Sequence, residues 1–183
     1  MKKTVLTYGL ISGLMISVLM DSSLLLSSRI GSGHSMILGY TMMVASFLLV
    51  YFGIRSYRDN TLGGQISFGR AFTCGILIAL ITCVCYVITW EVLYFGFIPH
   101  FMDGYFAAQI DKVRSSGLDP ATIARRVAAI QRSQQSYQNP LVNMAYTFIE
   151  PLPVGLIITL ISAAILRRKA PAEPSAASGV MTA

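Results

Sequence analysis

Asp21, Glu91 and Glu150 are the acidic residues that stand well inside long apolar runs of this chain. A carboxylate in hydrocarbon is costly, and intramembrane acids commonly mark ion paths or proton relays. With both termini inside and about 1.5 Å of rise per helical residue, they lie roughly 8, 9 and 14 Å below the outer boundary of the bilayer. That shared depth makes them a candidate ion or proton site, three acids lining an outward-facing cavity. The competing account is polar packing, with each acid protonated or bonded to a Ser, Thr or Tyr of a neighbouring helix. Glu150 has an additional feature, because Glu150-Pro151-Leu152-Pro153 breaks its run. Prolines there remove backbone donors and free carbonyls beside the acid, as in the interrupted helices of transporters.

Other chemistries find little support. His34 and His100 sit at the rims of apolar runs, unpaired with an obvious nucleophile, and no HExxH or Ser-His arrangement falls at bilayer depth. Cys74, Cys83 and Cys85 share one run without His or Asp at ligand spacing, which makes them small apolar filler. No glycine-rich phosphate loop appears. The expectation is a protein that is not an enzyme, with no cofactor and no metal.

The elements that must position the acids are membrane spans. Of 183 residues, 54% are hydrophobic and 12% charged, against roughly 25% charged in soluble domains. Mean hydropathy is +0.62. The net charge of +6 comes from basic residues beside apolar runs, a pattern that suits topology determinants and lipid contact and excludes nucleic acid. A bilayer core takes about 20 apolar residues to cross as a helix. Runs at about 5–26, 36–54, 71–97 and 141–166 meet that need. The fold class is an all-α four-span bundle, one membrane domain over 1–169.

The first run follows Lys2 and Lys3, which also describes a secretory signal peptide, but no small-x-small cleavage pattern follows and retention is expected. Gly9, Gly13 and Ser17 recur every four residues, a face on which helices approach closely and through which a homodimer is expected. Similar stripes are Ala71, Gly75, Ala79 and Cys83, and Gly155, Thr159 and Ala163. A polar connection with Arg29 and His34 joins the first two runs. Gln65 to Arg70 is expected to lie along the headgroups. Trp90, Tyr94 and Phe95 read as an aromatic belt closing the third run.

Residues 98–140 turn polar. Asp119-Pro120 is a helix start, and Ile123, Val127 and Ile130 mark one apolar face. An extramembrane helical hairpin is expected. The stretch 170–183 is small and proline-containing and is expected to be a disordered tail. Lys2, Lys3, Arg55, Arg58, Arg70, Arg167, Arg168 and Lys169 anchor one side, which puts both termini in the cytoplasm by the positive-inside rule.

YFGIRSYRDN at 51–60, ISFGRAF at 66–72, CYVITWEV at 85–92 and EPLPVGLIITLISAAILRRK at 150–169 together resemble a bacterial membrane family. It is known as domain of unknown function 4199. The resemblance runs from the second span to the closing basic cluster and implies a small four-span protein of the bacterial cytoplasmic membrane. It implies no activity. Two functions follow from the residues: ion- or proton-coupled or small-solute transport on the acids, or a non-catalytic adaptor whose outer loop binds a membrane-protein partner.

Overall fold

The computed structural model describes the backbone of residues 1–30 and 32–168, and the side chains of residues 1–22 and 37–168. Lys169, the 170–183 tail, and the side chains of Arg29 and His34 lie outside the described residues. Seven helices follow in order: α1 (Lys2–Ile30), α2 (Ser32–Thr61), α3 (Phe68–Gly96), α4 (Phe101–Arg114), α5 (Pro120–Tyr137), α6 (Pro140–Ile149) and α7 (Leu152–Leu166). Among the described residues, four helical stretches are long and apolar enough to cross a membrane: Lys2–Ser22, Ile37–Thr61, Phe68–Gly96 and the composite Pro140–Leu166. The predicted polar connection between the first two runs is largely helical, with α1 reaching Ile30 and α2 starting at Ser32.

Small residues decide how the helices meet. α3 packs on α1, α2, α6 and α7. Along α1, Gly9, Gly13 and Ser17 meet Ile81, Cys85 and Thr89 of α3 in register, so the two helices run parallel. A Cβ at Gly9 would come 2.9 Å from Ile81, and one at Gly13 would come 2.5 Å from the Cys85 sulfur. Ser17 and Thr89 share a 2.7 Å hydroxyl hydrogen bond. The Gly9/Gly13 face expected to form a homodimer is therefore filled by α3 of the same chain.

The opposite face of α3 carries the other predicted stripe. Ala71, Cys74, Ile78, Ala79 and Cys83 are fully buried. Gly75 faces Ile54 of α2 and Thr159 of α7, and Gly155 of α7 faces Phe47 and Ala79. α1 joins α2 through the buried Ser12, whose hydroxyl donates to the Ser46 carbonyl at 2.8 Å. The cysteines are free, Cys74 and Cys83 buried and Cys85 half-buried.

The basic end is clasped. Ile66 and Arg168 exchange both backbone hydrogen bonds, 3.1 and 2.9 Å, as an isolated antiparallel bridge. Arg58 is buried, binds Asp59 through two nitrogens at 2.6 and 3.1 Å, and donates to the last-turn carbonyl of Leu166 at 3.4 Å. It works as an internal tie, whereas Lys2, Lys3, Arg55, Arg70, Arg167 and Arg168 are exposed around it. The 65–70 segment pairs with Arg168 through Ile66 and caps α3 through Ser67.

α4 and α5, which connect α3 to α6 in the chain, pack against each other. Asp119 is the N-cap of α5 and Pro120 its first residue, as the sequence predicts. Bonds from Thr122 hold the Asp119 carboxyl below the usual carboxylate range. Ile123, Val127 and Ile130 form the half-buried face of α5. Gln134 of α5 donates to Asp103 of α4 at 3.2 Å.

Candidate functional site

A cavity of about 740 Å³ opens at the end of the bundle away from the basic clasp. Ile16 and Met20 of α1, Tyr40 of α2, Trp90 of α3 and Glu150 after α6 form part of its wall, and α4 and α5 close another side. The lining is aromatic and sulfur-rich, with Met42, Met43 and Met102 beside Phe101 and Phe106. Among the described residues Glu150 is the charged side chain in this wall, and no Lys, Arg or His lines it.

The helix break places Glu150. Pro151 and Pro153 supply no N–H to the carbonyls of Thr147 and Ile149, so the α-helical ladder cannot run through. The chain ends α6 at Ile149 and restarts α7 at Leu152. Glu150 Oε2 accepts a hydrogen bond from the Tyr86 hydroxyl at 3.1 Å. This ties the break to the middle of α3. A carboxylate so held keeps a defined position and leaves capacity for a further partner in the cavity.

A second set of bonds fixes the wall formed by α5. Trp90 Nε1 donates to the Tyr137 hydroxyl at 3.1 Å, and Gln138 donates to the Tyr94 hydroxyl at 3.0 Å. Tyr94 rests edge-on to Tyr137, and Trp90 edge-on to Phe101. The buried Asn143 of α6 donates to the Tyr137 carbonyl at 3.2 Å and accepts from Thr147 at 3.2 Å. Trp90 was expected to anchor the span at the headgroups. It is buried, with Tyr137 at the end of α5 bonded to its indole nitrogen.

The three acids do not share this cavity. Glu91 lines a separate groove of about 520 Å³ between α3 and α6, with Val87, Ile88, Met144 and Phe148. One residue along a helix is a rotation of about 100°, which turns Glu91 away from the face that carries Trp90. Its Oε1 is buried and finds no partner among the described residues. Asp21 is exposed on α1 and lines neither concavity. Among the described residues, no three His, Cys, Asp or Glu side chains gather closely enough to hold a metal ion. Equal depth held no information about azimuth.

Tyr86, Tyr137, Gln138, Asn143 and Thr147 were missed by sequence reasoning. A signal existed for the first: Tyr86, Trp90 and Tyr94 stand four apart and share one helix face. For Tyr137 the partner on α3 is 47 residues away, and no local pattern reveals it.

The fold is that of an all-helical protein with four bilayer-length apolar helices and a polar-aromatic cavity at one end. The family model described as protein of unknown function (DUF4199) matches residues 7–168, and the chain belongs to that family. No curated protein and no solved structure matches the chain.

Proposed function

We propose that this is a multi-pass protein of the bacterial cytoplasmic membrane that admits a small solute to the Glu150 cavity, in a transport-related and non-catalytic role. The observation that carries this reading is Glu150 itself. It is an acid at a proline break, oriented by Tyr86 and facing a cavity of about 740 Å³. Small-molecule sites are concave and mostly apolar with a few placed polar groups, at roughly 300–1,000 Å³. On this reading the termini and the basic clasp face the cytoplasm, and α4 and α5 form a helical hairpin outside the bilayer.

The test is uptake into proteoliposomes of a panel of small hydrophobic solutes bearing positive, no or negative charge. Saturable uptake of at least one solute, lost in Glu150→Gln and in the cavity-filling Ala129→Phe, supports the reading. Uptake equal to protein-free liposomes for the whole panel overturns it.

The adaptor reading is favoured by one feature, the exposed Arg125, Arg126 and Arg132 on α5. Deleting the α4–α5 region would also remove Tyr137 and so disturb the cavity. Reversing the three arginines to Glu separates the readings. An adaptor loses its co-purifying partner, whereas a solute protein keeps its uptake.

A further inference from the structure

We infer that the cavity selects organic monocations with an aromatic or aliphatic body, an inference that rests on the solute-binding reading above. Three features of the wall point to that class. The first is charge. Glu150 is the acid of the described lining, and no described basic side chain stands there to neutralise it. A desolvated ligand carrying one positive charge satisfies it, and an anion of the same shape is repelled.

The second feature is the aromatic surround. Tyr40, Tyr86, Trp90, Tyr105, Tyr137 and Tyr146 all border the cavity, drawn from five helices. Ring faces attract a cation within about 6 Å of the centroid, most strongly where water is excluded. The third is the methionine lining at Met20, Met42, Met43 and Met102. Thioether chains are flexible and polarizable, and they repack around apolar bodies of differing shape. Acid, rings and sulfur together suit a cation whose charge is spread over a hydrophobic body. A small hydrated metal ion would leave most of this wall unused.

The chain contains a single tryptophan, Trp90, and it lies in this wall. Its fluorescence therefore reports occupancy without a label. The experiment uses the full chain in nanodiscs of zwitterionic lipid. It is titrated with tetraphenylphosphonium and with tetraphenylborate, ions of nearly equal size and opposite charge.

Saturable quenching by the cation, at least tenfold tighter than by the anion, is expected. Glu150→Gln should weaken cation binding at least tenfold. Glu91→Gln, which removes the same charge from the other groove, should not change it. Tyr146→Leu keeps the carboxylate and removes one ring, and a several-fold loss is expected even if Glu150→Gln fails to fold. Equal or tighter saturable binding of tetraphenylborate overturns the cation preference and leaves the solute cavity standing. Saturable quenching by neither ion overturns the cation inference, and the uptake panel above then decides the solute reading separately. Unchanged cation affinity in Glu150→Gln or in Tyr146→Leu removes the site from this cavity.

Discussion

Tyr86 and Trp90 show how a span residue becomes a site residue. Each offers one polar hydrogen at the edge of a large apolar ring, and each spends it on a different helix. Tyr86 reaches the residue at the α6–α7 break, and Trp90 reaches the end of α5. A hydrogen bond of this kind contributes about 0.5–1.5 kcal/mol. Trp90→Phe and Tyr137→Phe should therefore show a coupling of about 1 kcal/mol in a double-mutant cycle, read from denaturant titration in nanodiscs. Strictly additive losses would mean that the indole and phenol do not meet.

The acids are instructive at the same scale. Their position along each helix is legible in the chain, because it follows from counting residues. Which acid would face a cavity was not legible. Glu91 and Trp90 are adjacent in sequence and face different grooves.

At the scale of elements, the small-residue stripes were legible and their partners were not. Three stripes were readable as close-packing faces, and each is used as one. The α1 face meets α3 of the same chain, since Ile81, Cys85 and Thr89 repeat with the same four-residue spacing. Gly13→Ala would put a methyl 2.5 Å from the Cys85 sulfur. Overpacking costs about 1–3 kcal/mol, above the roughly 1 kcal/mol that alanine gains over glycine in a helix. Gly104→Ala on α4 meets no atom within 4 Å and should be neutral or slightly stabilising. Thermal melts of the two variants in one detergent provide the comparison. Equal melting temperatures would contradict the α1–α3 packing. The N-cap of α5 was readable for the opposite reason: Asp119 and Pro120 act within one turn and need no distant partner.

For the whole molecule, the bundle has two unlike ends. One is closed by the Ile66–Arg168 bridge and Arg58 and is ringed by exposed basic residues. The other is hollow and roofed by α4 and α5. The proposed topology gives each end a side of the membrane. In a background with Cys74, Cys83 and Cys85 replaced by Ala, Ser116→Cys should react with an impermeant maleimide on intact cells. Gln65→Cys should react only after permeabilisation. The reverse pattern would invert the orientation.

The chain by itself determined what local composition and helical spacing can determine. These are four bilayer-length apolar helices, the proline break at Glu150, the start of α5 at Asp119–Pro120 and the small-residue faces. Each follows from hydrophobic run length, missing backbone donors or spacing within a few turns. Tertiary structure decided the azimuth of every span. Rotation about a helix axis is set by which faces can pack most closely, a property of pairs of helices distant in sequence. That rotation brought Tyr86 to Glu150 and turned Glu91 to another groove. It also filled the Gly9/Gly13 face from within and folded α5 over Trp90.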